Sequence, residues 1–246
     1  MADQPTKVAI VTGASRGIGA AVAERLAADG FAVIANYAAS AGPAETLVRG
    51  IEGRGQRALA VKADVSDAGS VRGMFETAEK VFGGVDVLVN NAGIMKLAKI
   101  ADCDDAAFDA QIAINLKGSF NNMREAARRL RDGGRIINFS TSVVGTKLET
   151  YAVYTATKAA VEAMTGILSK ELRGRRITVN AVAPGPVSTE MFLTGKSPEL
   201  VERMSKIPPL ERLGTTKDIA SVVSFLAGPD GGWINGQVLR ANGGLV

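Results

Sequence analysis

The sequence predicts an α/β protein: a single-domain, Rossmann-type, doubly wound parallel sheet of seven strands. Three observations predict it. Short apolar runs rich in Val and Ile alternate with longer helical patterns along the whole chain. The runs lack strict apolar–polar alternation, as expected of strands covered on both faces. Glycines fall where helices should stop, at Gly30, Gly55 and the Gly83–Gly84 pair. Strand–helix–strand units repeated in this way close through right-handed crossovers into a parallel sheet.

Taken in order, the strand-like runs are Lys7–Val11, Phe31–Asn36, Arg57–Val61, Val85–Val89, Arg135–Phe139, Ile177–Val182 and Gln237–Arg240. Between them the helical patterns cover Gly17–Ala28, Ala44–Gly53, Ala68–Phe82, Ala106–Leu130, Tyr151–Leu172 and Lys217–Ala227. No linker, repeat or low-complexity tract interrupts them, so residues 1–246 read as a single domain. The stretch 187–213 breaks the rhythm and carries Pro198, Pro208 and Pro209. An irregular segment of that length in a compact domain is usually functional, and a substrate loop is expected there. Its Met191, Phe192, Leu193, Leu200, Val201 and Met204 suggest an apolar substrate wall.

Composition removes several classes of chemistry. The chain has no histidine and one cysteine, Cys103. Ser-His-Asp and Cys-His nucleophile systems, His-ligated metals and an intrachain disulfide are excluded, and no metal is expected. A lone cysteine fits a reducing compartment. The opening MADQPTKVAIVTG enters an apolar run too short for a signal core, and no stretch reaches the roughly 20 apolar residues of a membrane span. A cytoplasmic location without membrane contact is therefore the expectation. The net charge of +4 raises the question of nucleic acid, but the basic residues are dispersed apart from Arg128–Arg129–Arg131 and Arg173–Arg175–Arg176. Both clusters fall near helix ends, where cations suit the helix dipole. With 5% aromatic residues there is no base-stacking surface, so no nucleic-acid partner is expected.

In doubly wound sheets ligands bind beyond the carboxyl ends of the strands. After the first strand stands Thr12-Gly13-Ala14-Ser15-Arg16-Gly17-Ile18-Gly19, leading into a helix. Glycine allows positive φ and close approach of a pyrophosphate, and the helix N-terminus offers N–H donors. The loop residues Gly13, Ser15, Arg16, Gly17, Ile18 and Gly19 are thus candidate cofactor contacts. An NAD site usually has a carboxylate at the end of the second strand for the ribose 2′-hydroxyl. Here that strand ends Asn36-Tyr37-Ala38-Ala39-Ser40, without an acid. Arg16 offers a forked donor to a 2′-phosphate. NADP(H) is the expected cofactor, with Asn36, Tyr37 and Ser40 around its adenosine end.

Tyr154 and Lys158 lie four residues apart on one helical pattern and so share a face. A phenol titrates near 10 and needs about 3–4 kcal/mol to reach ~7–8. A cation about 4 Å away at an effective dielectric near 20 supplies on the order of 4 kcal/mol. Tyr154 is accordingly the expected proton donor or acceptor. Tyr151 competes poorly, because four residues on stands Thr155.

With these residues in place the chain resembles, over essentially its whole length, the short-chain dehydrogenase/reductase family. The likeness rests on TGASRGIG at 12–19, Asp64-Val65, Asn90-Asn91-Ala92-Gly93, Asn115 in INLKG, Ser142, YxxxK at 154–158 and PGPVST at 184–189. The resemblance implies that Ser142 polarises the carbonyl, that Tyr154 gives the proton, and that Lys158 binds the nicotinamide ribose. It further implies that Asn115 anchors a water leading to Lys158, and that Asp64 and Val65 touch adenine. Asn91, Ala92 and Gly93 would line the cofactor, together with Pro184, Gly185, Val187 and Thr189. Ser142 precedes Tyr154 by twelve residues where many relatives have thirteen, and Ser140 and Thr141 adjoin it. Strand alternation places Ser140 and Ser142 on one side and Thr141 on the other. Ser142 is preferred because Val143-Val144-Gly145 follows it as in 3-oxoacyl-carrier-protein reductases; Ser140 is the alternative.

The implied activity is hydride transfer from NADPH to a carbonyl, in a small molecule or an acyl thioester. The C-terminal strand and tail resemble those of relatives that assemble as tetramers, which implies a homotetramer. Two other readings are an NAD-dependent alcohol dehydrogenase, favoured if Arg16 is uninvolved, and a non-catalytic NADPH-binding regulator. The second is opposed by the presence of Asn115, Ser142, Tyr154 and Lys158 together.

Overall fold

Val8-Ala9-Ile10-Val11 has no polar side chain to turn to water. In the computed structural model, which describes residues 6–246, it is the fully buried first strand, β1 (Val8–Val11). There follow α1 (Gly17–Ala28), β2 (Ala32–Tyr37), α2 (Ala41–Glu52), β3 (Ala58–Lys62), α3 (Ala68–Phe82), β4 (Val87–Asn90), α4 (Asp105–Gln111) and α5 (Ser119–Arg129). The second half runs β5 (Arg135–Phe139), α6 (Val143–Thr146), α7 (Ala152–Glu171), β6 (Thr178–Pro184), α8 (Glu190–Leu193), α9 (Pro198–Ser205), α10 (Thr216–Ala227) and β7 (Val238–Ala241). Among the described residues the seven strands make one parallel sheet in the order β3-β2-β1-β4-β5-β6-β7. The order reverses between β1 and β4, where a crevice opens at the carboxyl ends.

Each inner strand serves two cores. Ala9, Val11, Val33, Ala35, Val87, Val89 and Ile137 pack toward α1, α2 and α10, around Val22, Leu26, Ile51, Ile219, Val223 and Leu226. Ile10, Ile34, Leu88, Ile136 and Val179 pack toward α3, α5 and α7, around Val71, Met74, Phe75, Met123 and Leu168. Alternate residues point to opposite faces, and here both faces are dry, so the strands carry no polar alternation. The two arginine clusters are engaged within the fold. Arg129 bridges Glu76, Glu79 and Glu125, Arg131 pairs with Asp86, and Arg175 pairs with Asp132.

Three segments depart from the sequence reading. The helical pattern 106–130 is not one α-helix: a π-helical segment, Ile112–Gly118, separates α4 from α5. Irregular 187–213 contains the short helices α8 and α9, capped by Thr189 and Ser197 accepting from Phe192 and Leu200 N–H. The residues after β5 turn at once into α6, with Ser142 already helical at φ −63°, ψ −15°. Each helix is too short, or each insertion too local, for an apolar period to declare it.

Candidate active site

The glycine loop is built by its neighbours. Gly13 and Gly17 take φ +62° and +58°, which only glycine adopts freely. Gly19 lies so close to the loop that a Cβ there would sit 2.3 Å from the Gly13 carbonyl oxygen. Gly13 N–H donates to Asn36 Oδ1 (3.2 Å), while Asn36 Nδ2 donates to the carbonyls of Val61 (3.2 Å) and Ala63 (3.0 Å). Asn36 therefore corrects one expectation: its buried amide holds the loop from behind instead of facing a cofactor. Tyr37 and Ser40 remain partly exposed at the end of β2, and Ser40 makes no capping bond to α2. At the N-terminus of α1 Arg16 offers no side-chain cap. The first-turn N–H groups are thereby left for an outside acceptor, the arrangement that fits a pyrophosphate.

The switch point is stitched by Asn91, whose Nδ2 donates to the carbonyls of Thr12 (2.9 Å) and Gly13 (3.2 Å). Thr12 Oγ1 accepts from the N–H groups of Asn91 and Ala92, both at 3.0 Å. Ala92 and Gly93 thus border the crevice next to the glycine loop. Val65 is buried beneath Gly118, while Asp64 is exposed at the end of β3 and accepts from Ser66 N–H and Oγ. Val187 is buried and bridges to Gly214; Gly185 abuts Asn242. Pro184 ends β6 beside it.

Asn115 occupies the π-helical segment, a feature that recurs at functional sites. Its Oδ1 accepts from Ile94 N–H and its Nδ2 donates to the Ile94 carbonyl, each at 2.8 Å. A Cβ on Gly93 would lie 3.2 Å from Asn115 Oδ1 and 3.6 Å from Lys158 Nζ, so the three positions converge. Lys158 is buried, and its Nζ donates to the Phe139 carbonyl (2.8 Å) at the end of β5. The ammonium stands 5.9 Å from the Tyr154 ring centroid. Tyr151 meets Tyr154 edge-on, with centroids 6.4 Å apart.

The three hydroxyls that follow β5 have different surroundings. The Thr141 hydroxyl acts on the Tyr154 phenol in the sense that lowers its pKa. Ser142 is buried in the opposite sense: its Oγ donates to the Ala183 carbonyl (3.2 Å) and accepts from Asn242 Nδ2 (3.0 Å). Ser140 Oγ donates to Glu162 Oε1 at 2.6 Å. Alternation holds only inside a strand, and β5 ends at Phe139. The thirteen-residue spacing from Thr141 to Tyr154 was the available signal.

Burial outweighs the attraction between the ammonium and the phenol. Burial dominates and pushes Tyr154 up to about 12, with Thr141 opposing and Tyr151 adding to the rise. Burial likewise brings Lys158 down to about 8. Ammonium–phenol attraction by itself leaves out the desolvation of both groups. A phenol held protonated suits a proton donor. One consequence is testable without substrate. Between pH 8 and the usual lysine value of 10.5 the unfolded chain binds the extra proton, so stability from this group rises with pH. From about 10 to 12 Tyr154 reverses the sign, because its folded pKa exceeds the usual 10.0. Thermal unfolding without cofactor should show the wild type gaining on Lys158→Met as pH goes from 8 to 10. Parallel curves for the two proteins would contradict the assignment.

Comparison with known proteins gives one consistent picture. The family model described as enoyl-(acyl carrier protein) reductase matches residues 13–246. NADPH-dependent aldehyde reductase 2, chloroplastic, of Arabidopsis thaliana is 49% identical, over 98% of this chain and 94% of that protein. A 3-oxoacyl-acyl-carrier-protein reductase of Staphylococcus aureus is 42% identical over 98% of both chains. The crystal structure of a short chain dehydrogenase from Burkholderia cenocepacia in complex with NADP superposes with a TM-score of 0.92, at 38% identity and 99% coverage of each chain.

Proposed function

The chain belongs to the short-chain dehydrogenase/reductase family, and we propose that it transfers a hydride from NADPH to the carbonyl of a ketone, aldehyde or β-ketoacyl thioester, with Tyr154 as proton donor. The observation that carries this is buried Lys158, tied to the Phe139 carbonyl at the carboxyl end of β5 with its ammonium 5.9 Å from the Tyr154 ring, and Thr141 acts on the same phenol. Two donors on one oxygen make an oxyanion site. NADP(H), when bound, supplies the hydride. Thr141 orients the carbonyl, and Tyr154 Oη delivers its proton to the oxygen as negative charge develops there. Lys158, fixed by the Phe139 carbonyl, faces the ring of Tyr154 and stabilises the phenolate left behind. Asn115 fixes the Ile94 backbone and the π-helical turn that frames Lys158.

For the cofactor end, Arg16 is the cation offered to the 2′-phosphate, and Tyr37 and Ser40 stand at the same edge without a carboxylate. NADPH and NADH binding by calorimetry, with turnover on a panel from β-ketoacyl thioesters to simple aldehydes, ketones and quinones, tests the reading. Arg16→Gln should weaken NADPH on the order of ten- to a hundredfold, as for loss of a charged hydrogen bond, and leave NADH nearly unchanged. Preference of the wild type for NADH would overturn the cofactor assignment and favour an NAD-dependent alcohol dehydrogenase.

The substrate wall falls to the segment 187–213, whose Met191 and Leu193 on α8 are exposed. A homotetramer is supported by exposed apolar side chains on otherwise packed helices, Phe120 on α5 and Ile167 on α7. A cytoplasmic location is supported by the single free cysteine.

A further inference from the structure

Two residues expected to hold the cofactor are already engaged, and by the same element. Arg16 donates from its guanidinium to Glu190 Oε2 at 2.9 Å, across 174 residues of sequence. Thr189 Oγ1 accepts from Phe192 N–H (3.3 Å), and the Thr189 carbonyl accepts from Leu193 N–H (2.9 Å). All three partners, Glu190, Phe192 and Leu193, belong to α8, which begins at Glu190. The walls of the crevice are also in contact: a Cβ on Gly17 would lie 3.7 Å from Thr189 Cγ2. The glycine loop and the segment after β6 therefore close on each other, with a carboxylate at the one guanidinium of the loop.

We propose that Glu190 is a built-in competitor for the phosphate that Arg16 binds, and so sets how strongly the protein distinguishes a 2′-phosphorylated dinucleotide from one without that phosphate. The proposal rests on the reading of Arg16 given above. A guanidinium held by a carboxylate through one N–H must share or give up that partner when its fork turns to phosphate oxygens. The displaced carboxylate then lies near a dianion and adds like-charge repulsion. A dinucleotide lacking the phosphate asks nothing of Arg16 and leaves the pair intact. Both side chains are about two-thirds exposed, which places the competition in the range of surface ion pairs rather than buried ones. The same exposure makes Glu190→Gln a mild substitution for folding.

The test is a thermodynamic cycle of dissociation constants, measured by calorimetry on the full chain with NADPH and with NADH. It compares wild type, Glu190→Gln, Arg16→Gln and the double variant at low and high salt. Glu190→Gln should tighten NADPH by up to about fivefold, leave NADH unchanged, and lose most of its effect at high salt. In the Arg16→Gln background the Glu190 substitution should change nothing, because the competition has no prize. If Glu190→Gln leaves NADPH affinity unchanged, or shifts both dinucleotides equally, while Arg16→Gln still weakens NADPH, the competitor role is overturned and the cofactor reading stands. If Arg16→Gln spares NADPH, the cofactor reading itself fails.

Discussion

Replacing Tyr154 by Phe is expected to lower kcat for carbonyl reduction by about 10²–10⁴, the range supplied by a positioned proton donor, while NADPH binding survives. The ring stays in place against Tyr151, so packing is preserved and only the hydroxyl is lost. Lys158 keeps its bond to the Phe139 carbonyl, which is independent of the phenol. The measurements are single-turnover NADPH oxidation and calorimetric binding on the same preparation. Turnover that survives the substitution would remove Tyr154 from the chemistry. Loss of NADPH binding in parallel with turnover would mean that the hydroxyl serves the cofactor and not the substrate oxygen.

Thr141→Ala should cost on the order of 10²–10³ in kcat, as removal of one oxyanion-site donor does, whereas Thr141→Ser should recover most of it. Ser142→Ala separates the two hydroxyls. Ser142 is tied to Ala183 and Asn242, so its loss leaves Asn242 Nδ2 and the Ala183 carbonyl short of a partner. The expected result is a destabilisation of about 1–3 kcal/mol with a much smaller fall in kcat than for Thr141→Ala. Thermal unfolding and steady-state rates, measured side by side, decide the matter. If Ser142→Ala silences the enzyme at full stability and Thr141→Ala does not, the sequence preference for Ser142 is right and the structural assignment is wrong.

These two hydroxyls mark the limit of what could be read along the chain. The sheet was legible because most strands are short runs rich in Val, Ile and Ala, a pattern that burial on both faces imposes locally. The glycine loop was legible for a similar reason: positive φ at Gly13 and Gly17 admits few other residues. Tyr154 and Lys158 could be paired because four residues on a helix bring side chains to one face. Asn36 was misread because its position at the end of β2 is a sequence fact, but its amide turns inward to the Gly13 N–H and the β3 carbonyls.

The strand and helix pattern, the glycine loop and the tyrosine–lysine pair are thus written in residues near one another in the chain. Tertiary structure decided the rest. It set Ser142 against Ala183 and Asn242 and left Thr141 to the Tyr154 phenol, because the chain leaves β5 at Phe139 and turns at once into α6. It set the pKa directions, because desolvation depends on everything packed around Tyr154 and Lys158. It also brought Glu190 to Arg16, a contact between segments 174 residues apart that no local spacing records. Local geometry propagates a pattern only as far as an element lasts; the contacts between elements exist only once the sheet has closed.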